Sequence, residues 1–183
     1  MKHKLNPVSK KVLVEHKIPI YEGKIIFPET YKTKFFYAIV VEAAPDCDKT
    51  LTKDTFILAE WNGNKQQMDG NFWLVDESSI ILVQRVAKWH PFGNRVMIIR
   101  DNDEKRTEAG LIITNQQREN TQSLYGTVIA LGYKDNKIIE SNVKSGDYIM
   151  LTDWHETHRE IKLYNNYMLT VYNKFIAAKV ERV

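Results

Sequence analysis

The chain repeats one sequence pattern twice, and this repeat limits the possible folds more than any single motif does. An opening of one kind occupies Asn6–Val14 (NPVSKKVLV) and again His90–Ile98 (HPFGNRVMI). A loop follows each opening and ends in a glycine with an apolar tripeptide behind it, Ile25–Phe27 in the first half and Leu111–Ile113 in the second. Self-similarity of this length predicts two copies of one small domain.

Alignment of the halves supports a duplication. Gly23 matches Gly110 when three residues are allowed in the loop, and Tyr37 then matches Tyr125. The offset grows along the chain through small loop insertions only, as expected for two diverging copies of a β-fold. Chance similarity among short β-type runs is the alternative explanation.

Short runs of β-branched and aromatic residues dominate both halves, and no window has a convincing helical period. Five such runs per half, separated by turn signals, predict an all-β chain made of two tandem small β-barrels or sandwiches. The runs are Val12–Val14, Ile39–Val41, Phe56–Ala59, Phe72–Val75 and Ile80–Val83, then Val96–Ile99, Thr127–Leu131, Tyr148–Leu151, Tyr167–Val171 and Phe175–Ala178.

The segment that joins the halves is short. Residues 84–89 contain no Gly, Pro or Ser, and they include Val86 and Trp89. Such a segment is not a flexible tether, so we expect the two domains, residues 1–85 and 90–183, to be held at a fixed angle.

Composition excludes several classes of protein. The 26 Lys and Arg residues exceed the 23 Asp and Glu residues by a net charge of +3, and this excess is spread along the chain, so a solvated surface is expected rather than a nucleic-acid site. The single cysteine, Cys47, excludes an intramolecular disulfide and a cysteine-rich metal site. No apolar run approaches the ~20 residues that span a bilayer, and no secretory signal is visible. These features predict a soluble, cytoplasmic protein without a membrane partner.

The sequence offers no persuasive catalytic or metal motif. His155 and His158 are three positions apart, whereas a zinc-protease helix needs histidines four apart. The segment Asp101–Asp103 opens like a calcium loop, but Arg106 and Ile112 occupy the positions that require glycine and a carboxylate. We therefore expect no enzyme activity, no cofactor and no metal.

Five segments of the second half form a recognisable series, at Pro91–Ile98, Gly110–Ile113, Tyr125–Gly132, Val143–Tyr148 and Asn166–Ala177. In their order and spacing they resemble the ten-kilodalton co-chaperonin (GroES-like) family along most of the half. The segment 125–132 looks like that family's G-x-V-x-A-x-G strand, and 143–148 looks like its V-K-x-G-D-x-V segment.

The first half looks like a diverged copy of the same domain. It lacks glycine at the positions that match Gly132 and Gly146, where Ala44 (or a neighbour) and Asp54 stand. A tandem pair of GroES-like barrels is similar in organisation to the two-domain co-chaperonins of chloroplasts, and some bacteriophages also encode divergent co-chaperonins.

The resemblance implies a lid that caps a GroEL-like chaperonin ring and assists ATP-dependent folding. The lid would itself be a homo-oligomeric ring, it would meet unfolded clients only indirectly, and ATP hydrolysis would belong to the partner. The resemblance implies chaperonin-binding anchors at Leu111, Ile112 and Ile113, with Ile25, Ile26 and Phe27 as their counterparts in the first half. The implied mobile loop consists of Asp101, Asn102, Asp103, Glu104, Lys105, Arg106, Thr107, Glu108, Ala109 and Gly110.

The residues themselves can carry this chemistry. The charge density of 101–108 opposes packing and predicts disorder in the free protein. Burying each apolar anchor contributes roughly 1.5–3 kcal/mol, whereas ordering the loop costs on the order of 1–2 kcal/mol per residue. One loop therefore binds weakly, and useful affinity needs several loops in one ring. An ordinary strand start, with its apolar residues in the barrel core, is the alternative for both tripeptides, and the shorter first loop (15–22) could pack rather than move.

Two expectations concern assembly. Residues 133–141 can form a small hairpin with an Asp-Asn turn, whereas the matching segment 44–50 hardly can. In the family that the chain resembles this segment forms a roof hairpin, so the resemblance implies a dome with a partly open top. The family's chaperonin presents seven sites, which two-domain chains cannot tile evenly, and the sequence leaves the ring size open. The rival functions are a structural ring or assembly module, such as one in a virion, that keeps the fold without the chaperonin contact, and a nucleic-acid-binding barrel.

Overall fold

The fold was analysed in a computed structural model, which describes residues 6–17, 35–60, 66–68, 70–100, 124–152, 159–163 and 166–181. The regular structure of these residues consists of β-strands and two single 3-10 turns, at Glu77–Ser79 and Asn173–Phe175. Within these ranges no helix is long and apolar enough to cross a membrane. The all-β prediction is confirmed.

The strands that the structure describes form two consecutive sets along the chain, a first set of seven and a second set of eight. The first set comprises β1 (Lys11–Lys17), β2 (Phe35–Ala43), β3 (Phe56–Glu60), β4 (Gln66–Gln67), β5 (Phe72–Asp76), β6 (Ile80–Arg85) and β7 (Lys88–Pro91). The second set comprises β8 (Arg95–Arg100), β9 (Tyr125–Leu131), β10 (Tyr133–Lys134), β11 (Lys137–Ile138), β12 (Tyr148–Leu151), β13 (Arg159–Leu163), β14 (Asn166–Tyr172) and β15 (Ile176–Lys179).

The two large sheets have the same strand order. The first sheet runs β4-β5-β1-β2-β3-β6-β7, and the second runs β13-β14-β8-β9-β12-β15. Strand for strand these orders coincide, except that the first sheet has one additional strand, β7, at its edge. The duplication predicted from the sequence is therefore visible in the topology.

Register irregularities repeat as well. The register of β1 with β2 shifts between Leu13 and Val14, where it skips Val41 of β2. The register of β8 with β9 shifts at the matching place between Met97 and Ile98, where it skips Ile129 of β9. A bulge is a specific local feature that adds one unpaired residue to a strand. Its recurrence at equivalent positions fixes the residue-by-residue alignment of the copies.

The same alignment explains one glycine that the first copy lacks. Gly146 has φ +94°, and the matching Asp54 has φ +65°. Both residues donate a backbone N–H to equivalent carbonyls, Asp54 to Val40 at 2.8 Å and Gly146 to Val128 at 2.7 Å. Aspartate is one of the few side chains that tolerate the left-handed region, so the turn persists without glycine.

Each copy has its own apolar core of β-branched and leucine side chains that point inward from alternate strand positions. The first core includes Val12, Val14, Ala38, Val40, Ile57, Val75 and Val83. The second includes Val96, Ile98, Val128, Ile149, Leu151, Leu169 and Val171.

The hairpin predicted for 133–141 is confirmed. Strands β10 and β11 pair through Tyr133–Ile138 and Lys134–Lys137, and the turn residues Asp135 and Asn136 both have positive φ, at 48° and 61°. This is the backbone of a two-residue hairpin turn that favours Asn and Asp. The matching segment 44–50 forms turns and no strand, as expected.

Candidate functional site

The sequence-predicted site residues lie outside the described part of the chain. This applies to the anchors Ile25–Phe27 and Leu111–Ile113 and to the predicted mobile loop, Asp101–Gly110. Strands β8 and β9 flank the second loop, ending at Arg100 and beginning at Tyr125. The described residues instead define the junction between the copies, which is the candidate site.

At the junction, one strand from the opening of the second copy is added to the edge of the first sheet. The join that the sequence predicted to be stiff is a β-hairpin, in which β6 turns at Val86 and Ala87 and pairs with β7. Both turn residues have positive φ, at 48° and 59°, and Val86 is fully exposed. The opening of the second copy thus supplies an edge strand to the sheet of the first. Its next residue, Phe92, donates its N–H to the Ile81 carbonyl at 2.8 Å and inserts its ring into the core of the first copy.

A third apolar cluster spans the junction. The first copy contributes buried aromatic and aliphatic side chains, and the second copy packs methionine and isoleucine against them. The buried members are Phe35, Tyr37, Leu58, Ile81 and Leu82 from the first copy and Met97, Ile161 and Met168 from the second, with Trp89 of β7 packed against them. Burial of each large side chain contributes about 1.5–3 kcal/mol, so the cluster holds the copies as one packed unit.

A buried arginine reinforces the junction. Arg95, at the start of β8, donates to the Ile80 carbonyl of the first copy at 2.8 Å and to the Tyr172 hydroxyl at 2.8 Å. The guanidinium also lies over the Tyr172 ring, 4.6 Å from its centroid. Hydrogen bonds from a charged donor are among the stronger ones in proteins, and this one joins the second copy to the backbone of the first.

The hairpin β10–β11 forms a second contact, which we call the latch. Its turn donates backbone N–H groups to the loop of the first copy, from Asp135 to the Asp48 carboxylate at 2.9 Å and from Asn136 to the Thr50 hydroxyl at 3.1 Å. The Asn136 amide also donates to the Lys49 carbonyl at 3.2 Å. These bonds close one side of a cleft of about 1120 Å³ between the copies.

His90 is the titratable group at the centre of this junction. Its ring lies 5.5 Å from the Tyr133 ring, between centroids, and its Nδ1 atom is buried without a hydrogen-bond partner within the described ranges. Burial lowers the pKa of His90 below its ordinary value of 6.5, and the nearby Lys88 charge adds to this, while a hydrogen bond with the Leu131 backbone opposes it. The junction therefore favours the neutral imidazole.

We expect the free energy of unfolding to fall as the pH drops below 6.5. The unfolded chain protonates His90 near pH 6.5, and the folded chain does so only at lower pH. The stability that comes from burying the neutral His90 ring is therefore complete above pH 6.5 and is lost progressively below it. Urea unfolding of the wild type and of His90→Gln between pH 7.5 and pH 5 measures this. The variant should lose less stability on acidification, and part of the fall should persist because burial also lowers the pKa of His16. Parallel pH profiles would contradict the role of His90.

Sequence reasoning missed this junction. It placed 84–89 as a connector and did not recognise that Trp89, Phe92 and Arg95 serve both copies. A signal was available, because Trp89 and Phe92 are large apolar residues at the boundary between repeats, where a solvent-exposed linker would carry polar ones. Among the described residues, no group of three His, Cys, Asp or Glu side chains could hold a metal ion.

Comparison with known proteins identifies the fold. The sequence model of the family described as chaperonin 10 kDa subunit matches the chain twice, at residues 4–84 and 88–180. Co-chaperonin GroES of Holospora obtusa is 33% identical over 82 residues, which are 43% of this chain and 81% of the relative. Co-chaperonin GroES of Caulobacter vibrioides (strain NA1000 / CB15N) is 31% identical over 98 residues, 51% of this chain and 98% of the relative.

A third relative gives the same result. Co-chaperonin GroES of Staphylococcus saprophyticus is 30% identical over 95 residues, 50% of this chain and 96% of the relative. One half of this chain thus accounts for nearly the whole of such a protein, and the family pattern recurs across both halves. This chain belongs to the chaperonin 10 kDa subunit family and is a tandem form of it, with two GroES-like β-domains.

Proposed function

We propose that this protein is a co-chaperonin that caps a GroEL-like chaperonin and assists ATP-dependent folding of enclosed clients. The observation that carries the proposal is that the family model matches the chain twice, at residues 4–84 and 88–180. Its relatives are co-chaperonins by name. The chaperonin would hydrolyse the ATP, and unfolded clients would meet the cap only inside the closed chamber.

The contact with the chaperonin is assigned to the apolar tripeptides. Leu111–Ile113 of the second copy would dock on the partner ring, with Ile25–Phe27 as the second set. The charged segment Asp101–Gly110 would be mobile in the free protein and would order on binding. Each loop binds weakly because ordering the segment offsets most of the apolar gain, so several loops must act together in a homo-oligomeric ring.

The fold supports a ring in one respect. The two copies are joined by the pairing of β6 with β7 and by a shared apolar cluster, so they are packed against each other rather than linked by a flexible tether. Domains packed in this way would hold the bases of their two loops at a fixed spacing, which favours docking of several loops at the same time.

Limited proteolysis tests the proposal. Trypsin should cut the free protein first at Lys105 or Arg106 and leave both β-domains intact. Addition of chaperonin with ADP should protect these sites, whereas chaperonin without nucleotide should protect them less. A loop that resists trypsin in the free protein would remove the mechanism. Cleavage that chaperonin and nucleotide never slow would favour the structural ring or assembly module instead.

A further inference from the structure

A second cleft lies at the junction, and most of its walls are apolar. Its volume is about 560 Å³, within the range of about 300–1,000 Å³ that is usual for small-molecule sites. Trp89 and His90 of β7 line it, and strands β8, β9 and β14 contribute Met97, Leu131 and Met168. We call this space the apolar cleft. It lies where β7, the edge strand of the first sheet, faces the second copy.

Several apolar side chains in the apolar cleft remain open to solvent. Ile138 of the latch lines the cleft and is 56% exposed. Trp89, Ile129 and Leu131 line it as well, and each is only partly buried. Exposed apolar area that is concentrated in one concave site, rather than scattered, is typical of a ligand-binding groove. An apolar group bound there would remove this area from water and would be stabilised in proportion to the area covered.

The apolar cleft is formed by side chains that are already packed on their inner side. Met97 and Met168 are 2% and 7% exposed and belong to the cluster that spans the junction. The Trp89 ring packs on the same cluster, 6.0 Å from the Tyr37 ring between centroids. Methionine side chains adapt to the shape of a neighbour and contact aromatic rings favourably. The cleft therefore combines a preformed position with adaptable walls.

The charged side chains of the apolar cleft all have the same sign. Lys88 and Lys144 line it and are exposed, and no Asp or Glu among the described residues lines it. Asp147 interacts with Lys144, but its carboxylate lies 2.9 Å from the Lys179 ammonium and is paired there. Within the described ranges neither Lys88 nor Lys144 forms a salt bridge. The charge at the rim therefore favours a ligand with a negative group.

Two more polar side chains line the apolar cleft, and they differ in how they are satisfied. The Ser145 hydroxyl donates to the Ile129 carbonyl at 3.0 Å. The Nδ1 atom of His90, in contrast, is buried and has no hydrogen-bond partner among the described residues. Buried polar atoms without a partner are few in folded proteins. The polar head of a ligand in the cleft would supply one.

We propose that the apolar cleft binds a small organic anion, a carboxylic acid with an apolar alkyl or aromatic body. The body would lie against Trp89, Met97 and Met168, and the carboxylate would lie at the rim that carries Lys88 and Lys144. Such a ligand would contact both β7 and the second copy and would thus brace the junction. The site is separate from the proposed chaperonin anchors, so this inference goes beyond the proposed function and does not depend on it.

Isothermal titration calorimetry on the full chain tests the class of ligand. Decanoate is the probe for alkyl acids and naphthoate is the probe for aromatic acids, while decanol and decylamine carry a neutral or a positive head. At least one acid should bind saturably, with one molecule per chain and a dissociation constant at least about tenfold lower than that of decanol or decylamine. The tighter acid identifies the body that the cleft accepts. Equal affinity for decanol, or no saturable binding of either acid, would overturn the proposal.

Reversal of the rim charges tests the two lysines. Lys88→Glu combined with Lys144→Glu should weaken binding of the tighter acid at least about tenfold. The matched control combines Lys49→Glu with Lys53→Glu, which makes the same change in net charge at exposed positions that do not line the cleft. The control should leave the dissociation constant unchanged. If both double variants weaken binding equally, net charge alone is responsible and the site is wrong.

Nuclear magnetic resonance of the methionine methyl groups locates the ligand. On saturation with the tighter acid, the signals of Met97 and Met168 should shift, whereas those of Met68 and Met150, which do not line the cleft, should not. Unchanged signals of Met97 and Met168 would place the ligand elsewhere and refute the site. An affinity that falls as the protein concentration rises would show that another copy of the chain covers the cleft, and it would refute the proposal as well.

Discussion

Replacement of Gly132 by alanine should destabilise the chain by about 3 kcal/mol or more, the upper end of what overpacking costs. A Cβ atom at this position would lie 2.1 Å from the Gly93 carbonyl oxygen and 2.6 Å from the Arg95 carbonyl oxygen. Both atoms belong to the backbone, so neither can move aside as a flexible side chain would. The Gly93 N–H also donates to the Tyr133 carbonyl at 3.1 Å, which holds the opening of the second copy against the start of the latch hairpin.

The first copy supplies the control for this experiment. Gly146 has no atom within 4 Å of an added Cβ, and its counterpart Asp54 already has the left-handed backbone. Gly146→Asp should therefore cost only about 1 kcal/mol. Urea unfolding followed by circular dichroism measures both variants. If both variants lost the same free energy of unfolding, the close backbone approach at Gly132 would not be the cause of its loss.

Replacement of Ile112 by aspartate should abolish chaperonin binding without unfolding the protein. The change removes a proposed anchor whose burial would contribute roughly 1.5–3 kcal/mol, and docking of this position on an apolar surface would then require burial of a charge, which costs more again. Each loop would lose at least about a hundredfold in affinity, and the loss multiplies when several loops bind together. Co-elution with chaperonin and ADP should therefore disappear.

The matched variant is Ile26→Asp in the first copy. If both copies dock, it should weaken binding as strongly as Ile112→Asp, and if only the second copy docks, it should have no effect. The circular dichroism spectrum and the urea midpoint of both variants should equal those of the wild type. Retained binding by Ile112→Asp would refute the assignment of that anchor.

The sequence predicted the repeated elements well because they depend on local patterns. Short runs of β-branched and aromatic residues located the ten main strands, and the Asp135-Asn136 pair located the latch hairpin by its turn chemistry. The hairpin at Val86-Ala87 was missed because these residues disfavour positive φ and carry no turn signal. Short pairings such as β4 with β5 were missed because two-residue strands have no periodicity to detect.

Most of the junction was missed for a different reason. The cluster around Tyr37, Ile81 and Met168 joins residues far apart in the chain, and each of them reads locally as an ordinary core residue. Only the strand order shows that β7 joins the sheet of the first copy, although it belongs to the opening of the second. The chaperonin anchors stand on the resemblance and on the chemistry of their residues, and binding experiments test them directly.

Size-exclusion chromatography with mass detection, on the purified protein mixed with its cognate chaperonin, tests the central claim most directly. With ADP or ATP present, the protein should co-elute with the large ring, and the added mass should be a whole number of 21.4 kDa chains. Without nucleotide, co-elution should be weaker. If the protein elutes apart from its own chaperonin under every nucleotide condition, it is not a co-chaperonin, and the family fold serves a structural assembly instead.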